Sequence, residues 1–341
     1  MKAAVVRKVN DVRVEDVPIP TIGPKEILVK MLACGVCGTD IKKIQGEFIT
    51  PPVLGHEAAG EIFEVGEEVT DLKAGERVLV HHHVPCYVCH YCRHGSQTMC
   101  EEFQRSNIDP GGFAEYFRVP ETNVDRGAVL RVPDSVTFEE AALVEPTACC
   151  IRSLMKCDIQ IGDDVLVMGA GPVGLTQVQL LKLFGVSRIF SSDILRSRLE
   201  AADRFGADET INPRQENLVE RIKGMTEGRG VDVVVVATGS TDAIAQSLKS
   251  VRKGGTVSLF GAPHRSALLS YDVTEIFIRE ISIIPSYSAT ELETNMALKL
   301  LVSERIDLKG LVSHRFRLER TADAIRYAAD GKDCLKVIVT P

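Results

Sequence analysis

The chain has 341 residues, enough for two domains with separate cores. Hydrophobic residues make up 45% and charged residues 26%, the balance of an ordinary water-soluble globular protein. A formal charge of −7 excludes the basic field that nucleic-acid or membrane-surface binding requires, and no apolar run approaches the roughly 18 residues of a membrane-spanning helix.

The first 145 or so residues read as β-rich. Short runs, KAAVV, EILVKML, AAGEIFEV, RVLVHH and FAEYFRV, alternate with punctuation at Gly23-Pro24, Gly46, Gly75 and Gly111-Gly112. That is the pattern of an irregular antiparallel or barrel-like domain. The amino-terminal MKAAVVRKVN reaches Arg7 and Lys8 after too short an apolar stretch for a signal-peptide core, so a cytoplasmic setting is expected.

Within this segment Cys37 opens CGTD and His56-Glu57 follows in GHEAAG. Taken singly, Cys37 reads as a core cysteine and His56 as a satisfied buried histidine. Joined by Glu145 in the apolar run ALVEPTACC, they supply one sulfur, one nitrogen and up to two carboxylates. Such a mixed set suits a catalytic zinc with a position left for water or substrate. Glu145 itself is costly in an apolar stretch without a metal or a positive partner.

Between these residues, Cys86, Cys89, Cys92 and Cys100 crowd into one short stretch. Four thiolates can hold one zinc tetrahedrally at about 2.3 Å each. An iron–sulfur cluster is the competing metallic reading. A closed four-thiolate zinc has no open position, so the lobe at about 84–105 is expected to be scaffold. His81-His82-His83, at the entrance to the lobe, read as a solvated strand end, and Cys149-Cys150 as small packing residues.

From about residue 160 the rhythm changes. DDVLVMG, RIFSSD, VDVVVVAT and GTVSLFG read as strands, alternating with helices such as VGLTQVQLLKLFG, ILRSRLEAADRFG and TDAIAQSLKSVRKGG. This spacing implies an α/β, doubly wound parallel sheet with crossover helices, inserted between two pieces of the β-rich domain. Gly169-Ala-Gly171-Pro172-Val173-Gly174 lies between the first of these strands and its helix. Its glycines allow a tight turn, approach of backbone amides to a pyrophosphate, and close packing of helix on strand. Asp193 ends the next strand, where a carboxylate can grip both ribose hydroxyls and would repel a 2′-phosphate, favouring NAD over NADP. Arg196 and Arg198 stand nearby as groups able to accept such a phosphate, and Asp193 as a simple helix cap is the alternative. Arg198, Thr238 and Gly261 complete the residues assigned to the cofactor.

CGVCGTD, GHEAAGEI, the four-cysteine lobe, GGFAEY, the EP step at Glu145, GAGPVG and the terminal LKVIV occur in one order and spacing over essentially the whole chain. In this the chain resembles the zinc-dependent medium-chain dehydrogenase/reductases, within the alcohol dehydrogenase superfamily. Glutamate after the histidine and at the EP step look like the sorbitol/polyol and threonine dehydrogenase branches. The resemblance implies a GroES-like catalytic domain (1–147, completed by 286–341) and a Rossmann NAD-binding domain (148–285). It implies two zincs per chain, a catalytic one on Cys37, His56 and Glu57, with Glu145 bound directly or through water, and a structural one on the four lobe cysteines.

It further implies that Thr39 relays the alcohol proton, that Asp40 orients the ligand histidine, and that Lys336 reaches the cofactor. Where many members carry a surface histidine for the relay, this chain has Lys42, so either water does that job or Lys42 meets an acidic group of the substrate. The expected reaction is hydride transfer, in the cleft between the domains, between NAD and a small secondary alcohol or the corresponding carbonyl, with polyols and sugar alcohols first. An L-threonine 3-dehydrogenase-like enzyme is the nearest alternative, and a non-catalytic dinucleotide-binding sensor the alternative of another class. The complete set Cys37, Thr39, His56, Glu57 and Glu145 argues against the sensor, which has no use for an open zinc. The expected partners are the small-molecule substrate and copies of the same chain, as a tetramer in preference to a dimer, with no nucleic acid and no membrane.

Overall fold

The computed structural model describes residues 1–47, 52–332 and 334–341. Two compact units emerge, Met1–Ala148 together with Ala289–Pro341, and Cys149–Ser288. The first unit begins with β1 (Lys2–Lys8), β2 (Asp11–Asp16), β3 (Ile27–Gly35), β4 (Glu57–Val65), β5 (Arg77–Val80), β6 (Tyr116–Val119) and β7 (Val129–Arg131). The second unit carries β8 (Asp164–Met168), β9 (Arg188–Ser192), β10 (Glu209–Ile211), β11 (Val231–Val236), β12 (Val251–Leu259) and β13 (Ser282–Pro285). The chain then returns to the first unit with β14 (Val312–Arg317) and β15 (Lys336–Thr340). Among the described residues no helix is long and apolar enough to cross a membrane.

In the first unit a sheet runs β14-β15-β3-β4-β5-β7, with β6 also on β3. The strand β3 is the hub: it is antiparallel to β4, to β6 through Ile27–Lys30, and to β15 at Cys34 and Gly35. Its sequence ILVKMLACG exposes only Lys30, as a strand covered on both faces should. Ile27, Val29, Met31, Ile62, Val78, Phe113, Phe117 and Val339 join one core, and each large side chain so buried contributes about 1.5–3 kcal/mol. This sheet carries the candidate ligands: Cys37 follows the end of β3, His56 directly precedes β4, and Glu57 begins it, registered opposite Gly35.

The second unit is one parallel sheet in the order β10-β9-β8-β11-β12-β13. Every residue of β8 and β11 is buried, the continuous apolar reading expected of central parallel strands. Winding reverses between β8 and β11, which makes their carboxyl ends a topological switch point, the usual seat of a ligand in such sheets. The helix Pro172–Phe184 starts there with proline in its first turn and stops at Gly185 in the left-handed conformation.

Candidate active site

Cys37 is positioned by backbone chemistry before any metal is considered. It caps the helix Gly38–Ile44: its sulfur accepts from the Thr39 N–H at 3.5 Å, and Asp40 accepts from the Cys37 N–H at 3.0 Å. The other Asp40 oxygen lies 3.3 Å from His56 Nδ1. One buried carboxylate therefore fixes both a cysteine and a histidine, leaving the far nitrogen of His56 free to face Cys37. Burial alone would raise the Asp40 carboxyl, but the His56 imidazole and the Cys37 N–H hold it below its ordinary value. Burial likewise works against a charged His56, and the neighbouring Asp40 and Cys37 overcome it, holding His56 well above the usual imidazole value.

Glu57 is 1% exposed and its carboxylate meets Lys336 Nζ at 2.7 and 2.5 Å. Burial pulls the ammonium down, while Glu57 and Cys37 more than restore it. Gly35 makes room for this pair: a Cβ there would stand 1.8 Å from Glu57 Oε2 and 3.0 Å from Lys336 Cε. Lys336 thus holds a candidate ligand through its ammonium.

Ligand atoms of Cys37, His56 and Glu57 all lie within 4.8 Å of one another. A thiolate, an imidazole and a carboxylate at that separation fit a zinc held by three protein ligands with a position left open. Protonated His56 must release its proton to ligate, so zinc uptake by metal-free protein is expected to release protons and to tighten as pH rises toward the raised His56 value. Calorimetry in buffers of different ionisation heat checks this; uptake without proton release would contradict it. Thr39 is exposed at the start of the same helix. Lys42 Nζ lies 3.9 Å from Glu47, so its charge has an internal partner.

Glu145 groups differently. Its carboxylate clusters with His81 and His82, with Oε1 3.9 Å from His82 Nδ1. The solvated strand end expected for the three histidines is incorrect for His81 and His82, which are 0% and 7% exposed, while His83 is half-buried. They lie beyond β5, where the lobe and the segment after residue 288 cover them. His81 Nε2 is 3.0 Å from the Ala289 carbonyl and Nδ1 3.3 Å from Thr294 Oγ1, while His83 Nδ1 meets the Ser106 carbonyl. Asn123 secures the backbone by donating to the carbonyls of His81 and His82 at 3.1 and 3.0 Å. Burial pushes His82 well below, and His81 down to about 3 from, the usual imidazole value. A clue lies in the apolar run VLVHHHV, where polar rings directly follow a buried strand without a charged residue beside them.

The four lobe cysteines also converge, with all sulfurs within 4.8 Å of one another and Cys86 Sγ 4.0 Å from Cys92 Sγ. Two sulfurs on a tetrahedral zinc stand about 3.8 Å apart. The Cys89 N–H points at Cys86 Sγ at 3.2 Å and the Cys86 N–H at Cys100 Sγ at 3.4 Å. Burial raises Cys92; Cys100 bears the same penalty, but N–H donors of Cys86 and Phe103 bring it down to about 6. Phe103, fully buried, is the apolar centre of the lobe. Elsewhere Cys150 is 0% exposed and packs as a core residue on the helix Val144–Met155.

In the second unit the glycine-rich turn follows β8. Gly174 is pressed so close to the turn that a Cβ would lie 1.9 Å from the Gly169 carbonyl oxygen. Asp193 is set by the same turn: one carboxylate oxygen accepts from Ala170 N–H at 2.9 Å and the other from Leu195 N–H at 2.9 Å. The following helix, Arg196–Phe205, has Leu195 at its cap position and no side-chain cap, so Asp193 is held at the turn and is not the helix cap. Arg198 Nη1 stands 3.7 Å from Asp193 and beside Gly171. Thr238 and Gly261 follow the ends of β11 and β12, which the Gly261 N–H ties together by donating to the Val236 carbonyl at 2.8 Å. The unpartnered N–H groups of a helix start, a close glycine turn and a ribose-ready carboxylate fit a dinucleotide.

Comparison with known proteins agrees with this geometry. Residues 23–134 match the alcohol dehydrogenase GroES-like domain family and residues 172–303 the zinc-binding dehydrogenase family. The chain is 36% identical to a sorbitol dehydrogenase of Bacillus subtilis (strain 168), covering 100% of this chain and 97% of that protein. An L-threonine 3-dehydrogenase of Caldanaerobacter subterraneus subsp. tengcongensis is 33% identical over 95% of this chain and 93% of its own length. The solved structure of a zinc-binding dehydrogenase from Sinorhizobium meliloti 1021 bound to NADP matches with a TM-score of 0.90 at 30% identity, covering 100% of this chain and 99% of that one.

Proposed function

The chain belongs to the zinc-dependent medium-chain dehydrogenase family, and from that premise we propose that it transfers a hydride between NAD and a secondary alcohol, a polyol or sugar alcohol. The observation that carries this reading is the convergence of Cys37, His56 and Glu57 within 4.8 Å, in a chain that also holds the dinucleotide turn. Bound zinc would supply Lewis-acid polarisation of the substrate oxygen and a lowered hydroxyl pKa. The protein's own part is positional. Cys37, His56 and Glu57 hold the metal, Asp40 keeps the His56 ring turned toward it, and Lys336 holds the Glu57 carboxylate in place. Thr39, exposed beside Cys37, takes the hydroxyl proton and passes it outward through water. Two zincs per chain are proposed, the second on the lobe cysteines, in the reducing setting of the cytoplasm that keeps thiols available.

The test is a panel of polyols, sugar alcohols, simple secondary alcohols and L-threonine, followed by reduced-cofactor absorbance with NAD and NADP in parallel. Turnover of polyols supports the reading; preference for L-threonine would move the chain to that branch, and no turnover of any alcohol with zinc bound would refute both.

NAD is proposed over NADP because the Asp193 carboxylate would sit against a 2′-phosphate, and like charges so placed cost several kcal/mol. Asp193→Gly is therefore expected to shift the NAD-to-NADP preference by about tenfold or more, equivalent to about 1.4 kcal/mol, with Arg198 left to take the phosphate. Unchanged preference in the variant would count against the assignment.

The assembly proposed is a homo-oligomer, a tetramer in preference to a dimer. Supporting association, the helix Val273–Ile278 buries none of its residues, and Val273, Phe277 and Ile278 are 73%, 80% and 60% exposed beside β13 at the sheet edge. Phe277→Asp is expected to yield smaller species in light scattering; a monomeric natural chain would contradict the proposal.

A further inference from the structure

Two of the three histidines of the run have ring nitrogens engaged in ways that fix them as packing groups. His81 is held at both nitrogens, by the Ala289 carbonyl and by Thr294, and His83 is held by the Ser106 carbonyl. His82 differs. Its Nδ1 is buried and has no hydrogen-bond partner among the described residues, in a residue 7% exposed. An unpaired buried nitrogen costs about 1–3 kcal/mol, so its retention calls for a physical reason.

The surroundings of that nitrogen are metal-binding chemistry. Glu145 Oε1 lies 3.9 Å away, too far for a hydrogen bond and near the span of a nitrogen and an oxygen on one tetrahedral zinc, about 3.4 Å. The His82 ring centroid lies 4.9 Å from that of His56. Two imidazoles sharing a tetrahedral zinc place their centroids about 5 Å apart, from a nitrogen–zinc distance of about 2.05 Å. His56 uses Nδ1 on Asp40, which leaves its other nitrogen for a metal.

We propose that His82 is a further ligand of the catalytic metal, giving that metal a second position shared with His56 and Glu145, beside the Cys37–His56–Glu57 position. The inference rests on reading the triad as a zinc site. Both positions share His56, so a metal can pass between them by exchanging Cys37 and Glu57 for His82 and Glu145. The second position is a nitrogen–oxygen set without thiolate, a harder environment than the first. It also accounts for Glu145, whose carboxylate clusters with His82 and its neighbour His81.

The test uses the full-length enzyme with cobalt(II) in place of the catalytic zinc and the lobe zinc retained. X-ray absorption at the cobalt edge counts imidazole ligands through scattering from the outer ring atoms. The natural chain is expected to show more than one imidazole per cobalt on average. His82→Phe should show one, and should weaken cobalt affinity about 10- to 100-fold, while lobe zinc content stays unchanged as the measure of folding. His82→Asn serves the same purpose should the phenylalanine variant not fold. A single imidazole in the natural chain, or affinities equal in all three proteins, would overturn the proposal. Single-imidazole cobalt with normal alcohol turnover would overturn this inference alone, whereas a protein that takes up no cobalt outside the lobe would overturn the triad reading with it.

Discussion

Cys37→Ser is expected to lower alcohol turnover about 10³-fold and to make one of two zincs per chain removable by a chelator that leaves the natural enzyme intact. The size follows from arithmetic: metal polarisation of the reacting oxygen is worth several kcal/mol, and about 4 kcal/mol is about 10³ in rate. Serine is the informative substitution because Cys37 has two jobs. Its sulfur caps the helix Gly38–Ile44 by accepting from the Thr39 N–H, and a serine oxygen is a better cap than sulfur. The variant thus retains the helix and loses the soft ligand. Metal analysis by mass spectrometry, with turnover and thermal unfolding on the same sample, reads all three effects. If the serine variant unfolds, the principal role of Cys37 is structural and the assignment fails.

Lys336→Met is expected to destabilise the chelator-treated enzyme by about 3–5 kcal/mol, the usual result of leaving one member of a buried ion pair uncompensated. The Glu57 and Lys336 side chains are 1% and 5% exposed, so water cannot take over the role of the ammonium. For a unit of some two hundred residues, about 3 kcal/mol corresponds to roughly 6–12 °C in Tm. Zinc changes the balance, because a cation on Glu57 supplies the positive charge that the variant lacks. The loss should therefore be smaller in zinc-loaded enzyme, and adding Glu57→Gln to Lys336→Met should recover stability in the metal-free form. Equal losses with and without zinc would mean that Glu57 does not meet the metal.

These two residues mark the boundary of what the sequence makes legible. Cys37 announces itself through CGTD, and the four lobe cysteines and the glycine turn are local patterns whose spacing already carries their geometry. The parallel sheet is similarly local, since strand and helix alternate along the chain and β8 and β11 are continuous apolar runs. The Glu57–Lys336 pair joins positions 279 apart in sequence, through the pairing of β15 with β3 and β3 with β4. No periodicity within either segment encodes that meeting, and the need for glycine at position 35 appears only once both side chains are in place.

The histidine run failed for a related reason. Triplet polarity at a strand end normally signals water, but here the covering groups come from Ser106 in one direction and from Ala289 and Thr294 in the other. Asp193 was open to two readings because a carboxylate before a helix serves equally as a cap. Only its bonds to the Ala170 and Leu195 amides separate them. In each instance the sequence supplies the chemical group, and tertiary contacts decide its job.

The central claim is that the zinc carrying the reaction is not the one that folds the cysteine lobe. Its most direct test is to strip the enzyme with chelator until the weaker metal is gone, return zinc in steps, and follow alcohol turnover against zinc per chain. The account predicts no activity at one zinc per chain, with the lobe filled, and a rise in proportion to occupancy as the second is added. Full turnover at one zinc per chain would contradict it.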